Sequence, residues 1–448
     1  MSSVSEQSED TRAELDAPVA IVTPVSSGER IGSLDTLRGV AILGILVMNI
    51  YAFAMAFPAY FNPLLWGGSD ALNINVWRFT HLFFDQRFLS IFAMLFGAGI
   101  VLMSERAEAK GRSFTGFYYR RQLWLLLIGA IHAYLIWAGD ILFLYALIGM
   151  LAYLFRRLKP RTLIIIAVPL ILYTLAMNTM YGYVLQDAEA QVEEIIALQE
   201  AGEAIDDEQQ TLLDDWDDMR LFMRPTLEDI QEETNAYRGS YADILEVRIP
   251  FVMGFQIGGT LTFGLGRVLA LMLIGMALMK LGILSLQRDA AFYRKMWMIC
   301  YAVSLPLAGY STHILHEIRY DQVLSMQGAG IPFYFASLIM ALGHVGLVMW
   351  LLKTGRLQGW LARFAAVGRM ALTNYLSHSI IMTTIFYGYG LGLFGSVERI
   401  GQMGFVLALI AFQLWFSSWW LQRYRFGPAE WLWRSLTYWK RQPMRQSA

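Results

Sequence analysis

The sequence predicts an all-α protein, a polytopic transmembrane helical bundle with about ten spans and an acidic helical extracytoplasmic insert. Of its 448 residues 56% are hydrophobic and only 16% are charged, whereas a soluble domain carries about a quarter charged residues. Apolar runs recur that reach the roughly 20 residues needed to cross a bilayer as a helix. Basic residues gather in every second connection between these runs, as they do in cytoplasmic loops.

The apolar runs extend along most of the chain. The predicted spans are 34–57, 80–103, 120–138, 140–156, 162–184, 262–285, 292–312, 332–353, 369–392 and 401–422. The third and fourth runs are separated only by Ala138, Gly139 and Asp140, which predicts a tight antiparallel hairpin. A glycine at this point permits the sharp reversal of the chain.

The distribution of basic residues predicts how the spans are oriented. Of the 35 Lys and Arg residues, 23 lie in five connections or ends. These segments are 105–121, 156–161, 280–295, 353–369 and 423–445. Because short cytoplasmic loops are enriched in Lys and Arg, the alternation predicts a multi-pass protein of the cell inner (plasma) membrane with both termini in the cytoplasm.

This topology divides the chain into five regions. They are a disordered cytoplasmic tail (1–33), an N-terminal five-span half (34–184), an acidic extracytoplasmic helical insert (185–248), a C-terminal five-span half (249–422) and a basic cytoplasmic tail (423–448). The insert carries 19 of the 36 acidic residues, and its apolar residues Leu212, Leu213 and Trp216 recur at helical spacing. That pattern predicts an amphipathic helix. A solvated cap and a substrate-gating lid both fit it.

Several classes of function find no support in the sequence. A single cysteine, Cys300, provides no disulfide framework, and no complete set of metal ligands is present. Phosphate-binding loops, dinucleotide fingerprints, nucleophile elbows and nucleic-acid modules are missing as well. We therefore expect no metal, no permanently bound cofactor and no nucleic-acid partner. Membrane lipid is the expected partner. The sequence is compatible with both a monomer and a homo-oligomer.

Polar residues within the first span form a candidate binding stripe. Ionisable groups inside membrane helices are costly, so they usually pair with one another or line a functional cavity. Asp35 and Arg38 are three residues apart and can form an ion pair on one helix face, which Asn49 extends. Arg38 either faces a phosphate-bearing donor such as a coenzyme A thioester, or anchors the helix at the membrane surface.

The hairpin between the third and fourth spans carries a candidate catalytic pair. His132 lies near the end of the third span and Asp140 at the start of the fourth. A carboxylate that orients a histidine is the usual support for a general base. Polar groups that meet across a helical hairpin also serve as ordinary packing contacts.

The ninth span carries a second group of polar residues. Arg369 is followed by Asn374, Tyr375 and His378, and His378 lies about 13 Å along the helix from Arg369. Asn374 and His378 share a face. His378 is therefore either a buried catalytic or proton-relay group or a structural histidine.

Long motifs resemble those of the YeiB-like bacterial membrane proteins. They are residues 34–45 with Asn49, 95–100, 132–145, 368–376, 386–391 and 426–438. The C-terminal half resembles the domain of unknown function that defines this family. In the family pattern glutamine is more common at the position of His378, which favours His132 over His378 as a base.

The resemblance also implies an activity. The motif of the first span is similar to that of the wider group of transmembrane acyltransferases, including the lysosomal heparan glucosaminide acetyltransferase type. What this implies is transfer of an acyl group from a cytoplasmic acyl-CoA co-substrate to a small-molecule or glycan acceptor at the outer face. The expected substrate-binding residues are Asp35, Arg38, Asn49, Arg369, Asn374 and Tyr375, and the expected catalytic residues are His132, Asp140 and His378. A transporter or lipid flippase is the alternative, followed by a non-catalytic sensor or assembly partner.

Overall fold

The computed structural model of the protein describes residues 32–111 and 113–446, and the regular elements within these ranges are helices. The all-α prediction is confirmed. Of the predicted tail 1–33, residues 1–31 lie outside the described residues, whereas Gly32 and Ser33 already belong to the first helix.

Eighteen α-helices follow one another in the described ranges. The first nine are α1 (Gly32–Ala54), α2 (Pro58–Phe61), α3 (Ala71–Phe83), α4 (Arg87–Ala109), α5 (Thr115–Ile131), α6 (Leu142–Ala152), α7 (Pro160–Glu200), α8 (Asp207–Met223) and α9 (Leu227–Arg238). The other nine are α10 (Tyr241–Gly259), α11 (Leu269–Lys280), α12 (Ala290–Glu317), α13 (Gln322–Leu324), α14 (Ile331–Lys353), α15 (Gln358–Arg369), α16 (Ala371–Phe386), α17 (Arg399–Trp420) and α18 (Pro428–Tyr438). Three π-helical segments interrupt or extend them, at His132–Ile136, Thr260–Val268 and Ser325–Ala329.

Seven helical stretches in the described ranges are long and apolar enough to cross a membrane. They are Gly32–Ala54, Ala71–Ala109, Pro160–Glu200, Tyr241–Lys280, Ala290–Glu317, Ile331–Lys353 and Arg399–Trp420. The other three predicted spans correspond to α5, α6 and α16, which have 17, 11 and 16 residues. A helical membrane bundle is thus supported, while the number of ten spans stays a prediction.

The acidic insert is built on a helix that continues out of the bundle. Because α7 has 41 residues without a break, the predicted boundary at 184/185 falls inside it. The predicted amphipathic helix is present as α8, whose Trp216 packs with Leu185 and Val192 of α7. The insert also contacts the bundle through α9, where Arg238 Nε donates to Phe394 O over 2.6 Å.

The predicted basic tail 423–448 starts with an ordered segment. Its helix α18 packs against α5 and α16. Trp433 Nε1 donates to Arg121 O over 3.0 Å, and the Arg121 guanidinium lies 3.5 Å from the Trp433 ring centroid. Helix α18 therefore connects α5 and α16 through its contacts with both.

Helix α1 lies at the centre of the bundle, in contact with α4, α15, α16 and α17. It crosses α15 where two glycines meet. A Cβ on Gly39 would lie 1.8 Å from Phe364 O, and one on Gly368 would lie 1.8 Å from Asp35 O. Since the obstructing atoms are backbone atoms, only glycine permits this distance between the two helices.

Gly39→Ala is expected to destabilise the protein by about 1–3 kcal/mol or more, because the added methyl group has to push two backbones apart. Gly99→Ala is the matched control, since no atom lies within 4 Å of the added Cβ in α4. Alanine there is expected to stabilise the helix by up to about 1 kcal/mol. Thermal unfolding of both variants in detergent measures the difference. Equal unfolding temperatures would contradict a close crossing at Gly39.

The insert also predicts a dependence of stability on pH. Glu233 of α9 is half-buried and accepts a hydrogen bond from Phe57 N over 3.0 Å. Burial raises the pKa of Glu233 to about 7, although the bond from Phe57 opposes the shift. Because the folded protein holds this proton more tightly than the unfolded chain, the resulting stability is complete below about pH 4.5 and is lost as the pH rises through 7.

Glu233→Gln is expected to remove this contribution, which is of the order of 1–3 kcal/mol. Wild-type unfolding temperatures measured between pH 5 and pH 8 should fall towards alkaline pH more steeply than those of the variant. Parallel curves for the two proteins would show that Glu233 does not titrate in this range.

Candidate functional site

His132 lies at a change of helical pitch. Helix α5 ends at Ile131 and the chain continues as the π-helical segment His132–Ile136, closed by Trp137 N, which donates to His132 O over 2.8 Å. Residues after Trp137 leave the helix and return towards the bundle. Helices α5 and α6 are close together here, since a Cβ on Gly129 would lie 2.3 Å from Phe143 N. This geometry brings Asp140 back beside His132.

A chain of two hydrogen bonds runs from Asp140 through His132 to Ser379. Asp140 Oδ2 lies 2.7 Å from His132 Nδ1, and His132 Nε2 lies 2.8 Å from Ser379 Oγ. The exposed fractions of the three residues are 7%, 1% and 0%. Because a carboxylate accepts, the Nδ1–H tautomer fits this arrangement, so that Nε2 accepts from the serine hydroxyl.

Neighbouring groups fix the positions of Asp140 and His132. Phe143 N donates to the second carboxylate oxygen of Asp140 over 2.7 Å. The Tyr375 hydroxyl donates to Gly139 O over 3.3 Å and accepts from Ile141 N over 3.2 Å, while its ring lies 5.2 Å from the His132 ring. Bonds in such a water-poor setting are stronger than the same bonds in water.

A small pocket of about 10 Å³, with room for one water molecule, lies beside Asp140 and extends to α10 and the π-helical segment Thr260–Val268. Its polar lining consists of Asp140, Gln256 and Thr260. Thr260 Oγ1 is buried and has no hydrogen-bond partner. Apolar side chains such as Val252 and Phe255 complete the wall. The pocket therefore lies next to Asp140, at one end of the hydrogen-bonded series Asp140–His132–Ser379. Ser379 lies at the other end of this series.

His378 belongs to a separate group, although it neighbours Ser379 in the sequence. Successive residues of a helix point about 100° apart. His378 Nε2 lies 2.8 Å from Gln413 Oε1, and Gln413 Nε2 donates to Asn374 O over 3.1 Å. Asn374 Nδ2 in turn donates to Ser417 Oγ over 3.0 Å. This second group joins α16 to α17 and does not include His132.

The predicted donor-binding residues lie at one end of the bundle. Arg38 Nη1 donates to Asp35 Oδ1 over 2.9 Å, and 30% of the Arg38 side chain is exposed. Arg369 directly follows Gly368, whose backbone touches Asp35, so it lies close to this pair. Arg121 lies near enough to Arg38 and Arg434 to be repelled by both. Together these four arginines form what we call the basic end of the bundle.

The structure thus brings together only part of the predicted site. His132, Asp140 and Tyr375 share one group, Asn374 and His378 share another, and Asp35, Arg38 and Arg369 lie at the basic end. Asn49 lies further along α1 and is not part of the hydrogen-bonded chain at His132. No group of three or more metal-ligating side chains occurs in the described ranges.

Ser379 was not predicted. The sequence places it four residues after Tyr375 and therefore on the same helix face. However, α16 contains several hydroxyl residues, and nothing in its pattern separates Ser379 from Ser377, Thr383 or Thr384. The three-dimensional structure of the turn between α5 and α6 is needed to show which hydroxyl faces His132.

Comparisons with known proteins agree with the resemblance of the motifs. A chain of Bacillus subtilis, the uncharacterized protein YxaH, is 33% identical over 431 residues, which cover 94% of this chain and 97% of YxaH. The uncharacterized protein YeiB of Escherichia coli is 31% identical over 418 residues, which cover 91% and 96% of the two chains. The chain belongs to the YeiB-like family.

The family profile DUF418, described as a protein of unknown function, matches residues 278–440 of this YeiB-like protein. That segment includes Tyr375, His378 and Ser379, whereas His132 and Asp140 lie outside it. The candidate site is therefore assembled from both halves of the chain. Neither the profile nor the names of the relatives assign a reaction to it.

The position of α16 depends on Glu430 at the start of α18. Its carboxylate accepts from Leu372 N over 2.6 Å, from Thr373 N over 3.1 Å and from Thr373 Oγ1 over 2.6 Å. These donors would otherwise remain without partners at the first turn of α16. The carboxylate also lies favourably at the positive end of the helix dipole.

Glu430→Gln is expected to destabilise the protein by about 1.5–3 kcal/mol, because bonds to a charged acceptor are lost or weakened. Glu108→Gln is the control, since Glu108 forms an exposed ion pair with Arg157, and such pairs contribute about 0–1 kcal/mol. Thermal unfolding in detergent compares the two variants. An equally small effect at both positions would contradict a capping role for Glu430.

Proposed function

We propose that this YeiB-like protein is a membrane-embedded acyltransferase, with His132 as its general base. The observation that carries the proposal is the buried hydrogen-bonded chain Asp140–His132–Ser379. A carboxylate, an imidazole and a hydroxyl in this order form a proton relay that activates a hydroxyl for acyl transfer. The similarity of the first span to transmembrane acyltransferases supports the same class of reaction.

The order of the three residues in the relay suggests the path of the proton and of the acyl group. Asp140 holds the Nδ1–H of His132 and stabilises the imidazolium that forms when Nε2 takes a proton. Ser379 Oγ is the hydroxyl in reach of Nε2. In the first step, Oγ attacks the carbonyl carbon of a thioester, His132 takes its proton, and the thiolate leaves as a thiol with that proton. The acyl group is then held as an ester on Ser379.

The second step reverses these roles. A hydroxyl or amine of the acceptor attacks the ester carbonyl and gives its proton to His132. The bond between the acyl carbon and Ser379 Oγ breaks, and His132 returns the proton to Oγ. The products are the acylated acceptor and the free serine, so that no oxidant, reductant or metal takes part in this balance.

The basic end of the bundle suits the donor. Phosphate groups are recognised by arginine clusters, and Arg38 and Arg121 lie together there. Ser379 is eight residues from Ala371, the first residue of α16, which corresponds to about 12 Å along the helix. An acyl-CoA whose phosphates bind these arginines would have to extend its pantetheine arm along α16 to reach Ser379.

His132→Gln is expected to lower the rate of acyl transfer by about 10²–10⁴-fold, the usual contribution of a general base. Ser379→Ala is expected to lower it at least as far, because the nucleophile is lost. The measurement is transfer from radiolabelled acetyl-CoA and longer acyl-CoAs by purified protein in lipid vesicles.

His344→Gln is the control for replacing a half-buried, hydrogen-bonded histidine. His344 is hydrogen-bonded to Tyr301 and to Phe83 O, away from the relay, and its variant should transfer at the wild-type rate if it folds. A folded His132→Gln protein with normal turnover would contradict the assignment of the base. Lipid flip or uptake in vesicles without any acyl donor would instead support the transporter alternative.

A further inference from the structure

A cleft of about 380 Å³ lies between two loops at the C-terminal end of α1. One loop, residues 64–69, connects α2 to α3, and the other, residues 395–398, leads into α17. Gly395 N donates over 2.7 Å to the carbonyl oxygen of Ala54, the last residue of α1. Ala54 lies about 28 Å along the helix axis from Asp35. The cleft and the basic end are therefore at opposite ends of the bundle.

The cleft is large enough for a small molecule. Binding sites for such ligands typically occupy about 300–1,000 Å³. The pocket beside Asp140, by contrast, has room for one water molecule. Of these two cavities, the cleft is therefore the one that can accept an organic ligand.

Hydrogen bonds between the two loops fix the walls of the cleft. Trp66 Nε1 donates to Gly395 O over 2.9 Å. In the opposite direction, the buried Arg399 donates through its backbone N to Gly67 O and through Nη1 to Gly68 O, both over 3.1 Å. The φ angles of Gly67 and Gly68 are +88° and +94°, a conformation that favours glycine. A site with walls that are ordered in advance loses less entropy when a ligand binds.

The polar groups of the wall can both donate and accept hydrogen bonds. Ser396 Oγ accepts from Arg238 Nη2 over 2.7 Å, so that the serine hydrogen can be donated to a ligand. Glu398 is exposed, and its carboxylate makes no capping bond to α17. One of its oxygens accepts from Asn73 Nδ2 over 2.9 Å, and a carboxylate has capacity for further donors. The exposed Ser69 adds a second hydroxyl to the wall.

Trp66 gives the cleft an aromatic surface. The residue is half-buried and lines the cleft. An indole combines a broad apolar ring with one polar atom, and here that atom is bonded to Gly395. The C–H groups on one face of a sugar ring can pack against such a surface. Leu64, Leu65 and Val397 complete the wall.

The charge of the wall disfavours anionic ligands. Among the described residues that line the cleft, Glu398 is the one with a charged side chain, and Asp70 directly follows the lining residue Ser69. The nearby guanidinium groups of Arg238 and Arg399 donate to oxygen atoms of the protein. Because like charges repel, a phosphate-bearing molecule is a poor ligand for this cleft.

We infer that the cleft between residues 64–69 and 395–398 binds an uncharged sugar ring. The hydroxyl groups of a sugar both donate and accept, which matches Glu398 as an acceptor and Ser396 as a donor. The C–H face of the ring packs against Trp66. This binding goes beyond the proposed function and does not depend on it.

The cleft adjoins the helix that carries Ser379. Phe394 N donates over 2.7 Å to the carbonyl oxygen of Phe386, the last residue of α16, and Gly395 of the cleft follows Phe394. Ser379 lies about 10 Å along α16 from Phe386. Use of the bound sugar as the acyl acceptor rests on the proposed function.

The test is saturation-transfer NMR on the full chain in a polyoxyethylene detergent, since a maltoside headgroup would compete for the cleft. The uncharged sugars are glucose, galactose and mannose. Sorbitol serves as an open-chain polyol without a ring, and glucose 6-phosphate as a charged sugar. At least one of the three uncharged sugars is expected to bind saturably, and more tightly than sorbitol and glucose 6-phosphate.

Glu398→Gln should weaken the affinity for that sugar by about tenfold, because a hydrogen bond to a charged acceptor becomes one to a neutral acceptor. Glu232→Gln is the matched control, since Glu232 is exposed on α9 and does not line the cleft. Trp66→Leu should weaken binding by about three- to tenfold through the loss of the aromatic surface. Trp439→Leu is its control, because Trp439 is 69% exposed beyond α18.

The inference is overturned when none of the three sugars binds saturably, or when sorbitol binds as tightly as they do, since a ring is then not recognised. Tighter binding of glucose 6-phosphate than of glucose would identify an anion site instead. A sugar affinity that is unchanged in folded Glu398→Gln and Trp66→Leu proteins would place the sugar elsewhere. Sugar binding that depends on Glu398 without any acyl transfer would refute the proposed function alone.

Discussion

The candidate site depends on one constraint, namely that a carboxylate buried among apolar helices must be surrounded by donors. Asp140 meets this requirement with Phe143 N and His132 Nδ1. The bond to His132 then fixes the imidazole tautomer, which in turn directs Nε2 to Ser379 on a helix from the other half of the chain. The same bonds that make the buried acid tolerable therefore also arrange a base opposite a hydroxyl.

Close backbone contacts provide the precision that this arrangement needs. Gly129 lets the hairpin arms approach so that Asp140 faces back to His132, and the crossing of Gly39 with Gly368 places α15, and hence the start of α16, against the central helix. Glu430 holds the first turn of α16 from α18. Ser379 is thus positioned from several directions by contacts that contain no reacting group.

The sequence predicted those features that depend on local pattern. Apolar runs predicted the helices, the spacing of Asp35 and Arg38 predicted their ion pair, and the three-residue hairpin predicted the contact between His132 and Asp140. Features that depend on distant packing were not predictable. Ser379 is 247 residues away from His132, and α16 offers several equivalent hydroxyls. Likewise, Asn374 was predicted to bind substrate and His378 to act in catalysis, whereas the structure shows both hydrogen-bonded to Ser417 and Gln413 of α17.

The central claim is that Ser379, activated by His132, carries the acyl group. Its most direct test is the mass of the intact protein, followed by peptide mapping, after exposure to an acyl-CoA with no acceptor present. The account predicts a single added acyl group per chain, located on Ser379 and lost when His132 is replaced by glutamine. Acyl transfer to an added acceptor without any acylated protein, or an acyl group on a residue other than Ser379, would contradict it.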